Sequence, residues 1–322
     1  MSCIELKQRT LQIGAALLLG LASLAVTAQE KYPARPIEFI VPWGPGGGAD
    51  QVARKSGKIM EEDLKISFPV VNVPGATGNS GMAKLLAAQA DGYSISIMTW
   101  DTYALLATSK TRWSMKDIVP VALMIKQPSS FMSAANGNLK TWADVEREAK
   151  VRPLKVAVTG FGSPDDITVN FFAARGLKLI AVPFANPGER YTSVLGGHAD
   201  LLYEQLGDVR SFIDSKQIQP VIIFSDRRFS VFPDVPASKE LGYDITLPQR
   251  RAVIVKAGTD AGRIKVLSDA LAKVAASAEY KAYLKEQYAS DDSYFSAQDA
   301  AKIMEEELDQ MKRMAAPGAA AK

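Results

Sequence analysis

Cysteine and histidine are almost absent from this chain, with Cys3 and His198 the single representatives among 322 residues. Without a second cysteine no internal disulfide forms, so stability has to come from a packed core, and 47% apolar residues supply one. One histidine excludes a His-rich metal centre, and any Ser-His-Asp triad has to use His198. The G-x-S-x-G elbow of many hydrolases is missing, as is the GK[ST] of a nucleotide-binding P-loop. An excess of one charge is missing too: 38 basic residues face 35 acidic ones with no basic stripe, which disfavours nucleic acid as a partner. Beyond residue 26 no run is long and apolar enough to cross a bilayer.

The first residues carry Lys7 and Arg9, then an apolar segment from about Leu11 to Val26, then VTA at 26–28. This is the layout of a secretory signal peptide. An uncut anchor is the alternative, but the apolar run falls short of the roughly 20 residues that a spanning helix needs. The expectation is that residues 1–28 are removed near Ala28, which also removes Cys3 and leaves the exported chain without a thiol.

Strand-like runs alternate with amphipathic stretches along most of the sequence. Runs at 68–71, 94–98, 119–125, 155–159, 179–182, 199–203 and 221–224 read as strands. Val52, Ala53, Ser56, Ile59 and Met60 recur at helical spacing, and Thr141 is placed to cap a helix carrying Trp142 and Val145. The alternation predicts an α/β fold with largely parallel sheets. Near 124–133 two apolar runs meet with no helix between, which reads as a crossing between domains. From about Asp260 the chain turns helical, as if closing back on the first domain. The domain expectation is therefore 29–125 with 226–314 as domain 1, 126–225 as domain 2, and a disordered tail at 315–322.

Three glycine loops each follow a strand and open a helix: IEFIVPWGPGGGAD at 37–50, NVPGATGN at 72–79 and TGFGSPDD at 159–166. Open α/β sheets bind ligands at such strand ends, and helix N-termini attract anions. One loop alone is an ordinary tight turn. Three loops in two halves suit an enclosed carboxylate, because a few contacts of about 1.5 to 3 kcal/mol each suffice for micromolar binding. The first loop also meets the relaxed dinucleotide pattern through Gly44, Gly46 and Ala49, but the place of the ribose-binding acid is taken by Asn72. His198 reads as a turn residue before a strand. Asp165 and Asp166 read as first-turn helix acids in preference to an acid–base pair. Arg250 and Arg251 read as a solvated pair or as a source of one cleft-facing cation.

Taken in order, YPARPI at 32–37, VPWGPGGGADQVAR at 41–54, PGATGN at 74–79, DGY at 91–93, GFGS at 160–163, VPF at 182–184, LGG at 195–197 with Asp200, FPDVP at 232–236, ELG at 240–242 and KAGT at 256–259 resemble one family. It is the periplasmic solute-binding receptors of tripartite tricarboxylate transporters, also called Bug proteins. The resemblance implies a two-domain clamshell of the type II periplasmic-binding-protein kind, a periplasmic location, no catalysis and no cofactor. It implies a small di- or tricarboxylate ligand, delivery to membrane permease subunits, and a monomer. It also implies that Gly46, Gly47, Gly48 and Asp50 form one side of the ligand site and Thr159, Gly160, Gly162 and Ser163 the other, with Gly75, Gly78 and Asn79 along the wall. Asp50 is expected to brace its loop, since like charges repel.

Many members carry His at the position of Asp166 and Lys-Gly at that of Ala185 and Asn186, so this cleft is expected to be less cationic than usual. Specificity is then expected from Trp100, Asp101, Phe184, Glu204 and Arg250 or Arg251, favouring a compact dicarboxylate, or one with an added polar group, over citrate. Two other roles stay open: a sensing receptor that presents its closed form to a membrane kinase, and an exported hydrolase dependent on His198.

Overall fold

The computed structural model describes residues 31–108, 111–290 and 292–315. The export segment expected at 1–28 and residues 316–322 of the expected tail lie outside the described residues. Ala315 itself closes the last helix. Residues up to Ala34 belong to a separate unit, and the chain from Arg35 onward forms one body.

In that body the elements run β1 (Glu38–Val41), α1 (Gly48–Leu64), β2 (Val70–Asn72), α2 (Asn79–Ala87), β3 (Ser94–Thr99), α3 (Trp100–Tyr103), β4 (Ile118–Gln127) and β5 (Ser129–Ala134). They continue with α4 (Trp142–Val151), β6 (Leu154–Val158), α5 (Pro164–Ala173), β7 (Leu179–Pro183), α6 (Pro187–Leu195), β8 (Leu201–Gln205), α7 (Arg210–Asp214) and β9 (Ile218–Ile223). The last are β10 (Gln249–Lys256), α8 (Ala261–Ala276), α9 (Ala278–Glu286), β11 (Phe295–Ser296) and α10 (Ala297–Ala315).

Among the described residues the strands form two sheets, ordered β11-β4-β10-β3-β1-β2 and β7-β6-β8-β5-β9. The first takes strands from before Gln127 and after Gln249; the second takes everything between. The chain crosses at Pro128, between β4 and β5, and returns along the segment joining β9 to β10. Each sheet has its own core. Phe131, Trp142, Phe172, Tyr203 and Phe224 pack ring on ring in the second, while Trp100, Tyr103, Met304, Leu308 and Met311 pack α3 and α10 against the first.

Parallel pairing was expected to dominate, and the sheets are mixed instead. β1 pairs in parallel with β2 and β3, and β6 with β7 and β8. β10 lies antiparallel between β3 and β4, and β5 antiparallel between β8 and β9. The physical reason is the double crossing: a strand arriving from the other half enters its sheet without a covering helix to reverse it, so it runs against its neighbours. Strand β10 was not expected at all, because its apolar run AVIV at 252–255 is short and two arginines mask its start.

Local chemistry sets the helix starts near the sheet edges. Ser163 caps α5, its Oγ accepting from the Asp166 amide at 3.4 Å, with Pro164 pre-set for the first turn. Thr141 and Asp144 make a reciprocal capping box on α4. Helix α1 has no side-chain cap, since its cap residue is Gly47. Its loop is braced elsewhere, by Asp50.

Candidate functional site

The carboxyl ends of β1, β3, β6 and β8 face one another, and the start of antiparallel β10 lies at the same edge. Between them lies a cavity of about 20 Å³, room for roughly one water. From the first sheet's half, Trp43, Gly47, Gly48, Ala49, Thr99, Asp101 and Arg251 line it; from the second, Thr159, Pro187, Arg190, Tyr191, Glu204, Gln205 and Asp208. This is the carboxyl-edge position where open α/β sheets take ligands.

The glycine loops bring the halves together. Were a Cβ present at Gly47, it would lie 2.7 Å from Pro187 Cγ on α6. A Cβ on Gly160 would overlap Thr77 of the second loop, and one on Gly48 would overlap the carboxylate of Asp208 and the guanidinium of Arg251. Glycine is therefore needed at 47, 48 and 160 for close approach across the cleft.

Two ion pairs fill the cavity walls. Arg190 Nη2 donates to Glu204 Oε2, and the side chains of both are 4% exposed. Arg251 Nη2 donates to Asp208 Oδ2, with 3% and 1% exposed. Arg251 also donates to Gln127 and, at 3.2 Å, to Gln205, while Arg190 Nη1 donates to the Phe184 carbonyl at 3.2 Å. Burial pushes the Asp208 carboxyl up to about 6 against the pull of Arg251.

Two more carboxyls stand beside these pairs, Asp101 on the cavity wall and Asp165 outside its lining. Asp101 accepts from Gln249 Nε2 at 2.6 Å, and Asp165 accepts from the Thr159 amide at 2.7 Å and its hydroxyl at 2.8 Å. Burial raises both, Asp165 well above the usual carboxylate range, with the Asp101 charge adding to the effect. Asp165 is thus more than a dipole partner for α5: it is a buried strut under the third loop.

Of the residues expected to bind ligand, Gly47, Gly48, Asp101, Thr159 and Glu204 come together on the cavity. Asp50 braces, as expected: its carboxylate accepts from the Gly46 amide at 3.0 Å, Arg54 at 2.9 Å and Asn72 at 3.0 Å. Asn72 also donates to the Trp43 carbonyl at 2.9 Å, so the residue in the ribose-acid position ties down the loop. Gly46 is exposed at the loop's outer turn.

The other residues expected at the site lie off the cavity lining. Trp100 lies in the first core with its indole donating to Glu307, because its helical neighbour Asp101 takes the cleft-facing direction. Phe184 packs beside α6 and reaches Arg190 only through its carbonyl. Gly75 and Gly78 take positive φ to turn the chain into α2, and Asn79 accepts from Trp113 at 2.8 Å. Gly162 donates to Asp166 at 2.8 Å and Ser163 to the Gly160 carbonyl at 2.6 Å, so both hold the third loop from within. None of these seven lines the cavity.

The arginine ambiguity resolves through strand geometry. Successive side chains on β10 point to opposite faces, and it is Arg251 that enters the cleft. Arg250 pairs with Glu307 at 2.8 Å in a larger groove of about 820 Å³. On the wall of that groove Lys126 and Arg228 pair with Asp292 and Glu240. Arg190, Tyr191, Gln205 and Asp208 were not foreseen. The one available signal was Arg190 itself, which sits on the apolar face of α6 with Tyr191 and Val194.

Two sheet-based halves, two crossings and a cavity at facing strand ends define a clamshell solute-binding receptor. The chain belongs to the tripartite tricarboxylate transporter family receptors, whose family model matches residues 52–317. It is 29% identical over 254 residues to BugT of Bordetella pertussis, covering 76% of this chain and 77% of that protein. Among solved structures it is similar to MatC of Rhodopseudomonas palustris with bound malate, at 20% identity and TM-score 0.81 over 88% of this chain and 99% of that one. A second R. palustris protein, solved with adipate, matches at 22% identity and TM-score 0.83 over 90% and 98%. The family comprises periplasmic carboxylate-binding receptors that serve membrane permeases and catalyse no reaction.

Proposed function

We propose that this chain, working as a monomer after removal of residues 1–28 near Ala28, captures a small di- or tricarboxylate in the cleft and delivers it in the closed form to a tripartite tricarboxylate-type permease. The two halves are taken as 29–125 with 226–314 and 126–225. The observation that carries the reading is the cavity itself, where the first turn of α1 and the guanidiniums of Arg190 and Arg251 approach one point from both halves. A helix N-terminus and two cations are the groups that stabilise a carboxylate. Malate and adipate, bound by two proteins of the same fold, are both dicarboxylates.

Entry of such a ligand requires the halves to part, because the cavity has room for little more than one water. Closure then follows from contacts that both halves make only when shut. Both guanidiniums already hold an acid, so a compact dicarboxylate, or one with a further polar group, is favoured over the more highly charged citrate. Native mass spectrometry of freshly purified protein, backed by a thermal-shift screen, tests the reading. A retained small carboxylate is expected. If none is retained, and malate, adipate and citrate all leave the melting temperature unmoved, the carboxylate reading fails. Citrate binding best, with dicarboxylates silent, removes the size preference alone.

A further inference from the structure

The start of β10 has two faces. Arg251 enters the cleft, and Arg250, one residue earlier, lines the groove of about 820 Å³ on the other face. Lys126 of β4 is the register partner of Arg250, so two cations stand side by side in the groove. Like charges directly opposite across a strand pair repel. Acid reaches each of them only in part. Arg250 Nε donates to Glu307 at 2.8 Å, but Glu307 also takes the Trp100 indole, and Arg250 Nη1 is buried with no partner among the described residues. A buried donor left unmade is costly, which marks it as a place for a bound acceptor. Lys126 pairs with Asp292 at 2.7 Å where both reach solvent, and such a pair is worth little. A third cation of the lining, Arg227, is exposed and pairs with no acid among the described residues. Besides Glu307 the only acid of the lining is Asp226, which is exposed.

Rings supply the apolar part of the lining, through Pro128, Phe224, Phe229 and Pro248. The volume falls in the range of about 300 to 1,000 Å³ typical of sites for small organic molecules, and is far larger than a bare inorganic anion needs. Guanidinium groups match carboxylate and phosphate alike.

The groove is also built from the links between the halves. Lys126 and Pro128 belong to the first crossing, and Phe224, Phe229 and Pro248 to the second. Glu307 and Gln310 come from α10, whose Met314 packs against the core of the second half. Every chain segment that bends when the halves move therefore contributes to its wall.

We propose that this groove is a second binding site, separate from the cleft, for an organic anion: a carboxylate or phosphate on a flat apolar body, with Arg250 and Arg227 receiving the acid group and Pro128, Phe224 and Pro248 the body. Because cleft and groove lie on opposite faces of β10, parting the halves at the cleft crowds the groove. An occupant that fills the groove at its present width holds the halves together, and so couples the two sites.

Calorimetry on the mature protein with phenyl phosphate, benzoate and inorganic phosphate tests the site. At least one of the two aromatic anions is expected to bind about tenfold tighter or more than inorganic phosphate, since only they cover the apolar walls. The tighter of the two names the acid group. Arg227→Ala and Arg250→Lys, the second keeping a cation for Glu307, are each expected to weaken that binding about tenfold, as loss of a charge-assisted hydrogen bond implies. Silence from both aromatic anions, inorganic phosphate binding as tightly as they do, or an affinity unmoved by the variants overturns the proposal and leaves the carboxylate reading of the cleft intact. Should Arg250→Lys fail to fold, Arg227→Ala still decides, because its side chain is exposed. Small-angle scattering tests the coupling: the radius of gyration is expected to fall when the tighter anion is added to the unaltered protein and to fall less in Arg227→Ala, and a radius that stays or rises overturns it.

Discussion

Replacing Gly47 with alanine adds one methyl group at the mouth of the cleft. Gly47 has φ −77 and ψ 169, an extended conformation open to any residue, so the backbone bears no strain from the change. The cost is contact across the halves. The new Cβ would stand 2.7 Å from Pro187 Cγ and 3.2 Å from Pro187 Cβ, and a proline ring has no rotamer that withdraws it. Ordinary carbon contacts lie at about 3.5 to 4.0 Å, so the halves must part by roughly 1 Å at this point. Overpacking of this kind costs about 1 to 3 kcal/mol. Because Gly47 and Pro187 stand on different halves, that cost falls on the closed state and not on the fold. Affinity is then expected to drop by about 5- to 150-fold, while the denaturant midpoint of the protein alone stays unchanged. Calorimetry with whichever carboxylate most raises the wild-type melting temperature measures the first, and urea unfolding the second. Gly188→Ala on the same helix serves as control, since its Cβ meets nothing closer than 3.8 Å. If Gly47→Ala binds within twofold of wild type, the glycine is not there for closure and this account is wrong.

Three further outcomes follow from the same geometry. Arg190→Met leaves Glu204 buried without its cation and is expected to cost about 3 to 5 kcal/mol in urea unfolding; a loss under 1 kcal/mol contradicts a desolvated pair. Asp50→Ala removes the acceptor for the Gly46 amide, Arg54 and Asn72 and is expected to destabilise by about 1 to 3 kcal/mol while raising amide exchange in residues 43–48; unchanged exchange would mean the loop holds itself. Burial raises Asp101, Asp165 and Asp208, the last to about 6, so the closed form binds more protons than an open form whose carboxyls titrate near 3.9. Closure therefore strengthens as pH falls from about 6 toward 4 and weakens as pH rises through that window. Small-angle scattering on the protein without added ligand should give a smaller radius of gyration at pH 5 than at pH 7.5, and the reverse order refutes the sign.

Much of the architecture was legible because it is local. The glycine loops announce strand ends, Thr141 and Ser163 announce helix starts, and the spacing of Val52, Ala53 and Met60 announces the buried face of α1. The site was legible only where a loop makes it. Gly47, Gly48 and Thr159 sit in such loops; Asp208 sits in a turn with no motif, and Arg251 on a strand whose apolar run was too short to notice. Trp100 and Phe184 lie off the cavity lining for a related reason. Neighbouring positions on a helix or strand point different ways, and which of two faces a cleft is set by packing partners distant in the chain.

The sequence by itself determined the alternation of strands and helices, the exclusion of a His-rich metal centre and of an internal disulfide, and the glycines at 47, 48 and 160, all of which follow from residue type and short-range spacing. Only the tertiary structure decided that those glycines serve close approach between halves, that Arg251 and not Arg250 enters the cleft, and that Asp101 and Asp165, from opposite halves, meet. Charge balance in a buried cleft is a sum over residues from both halves. It exists only once the two crossings have brought the sheets' carboxyl edges face to face.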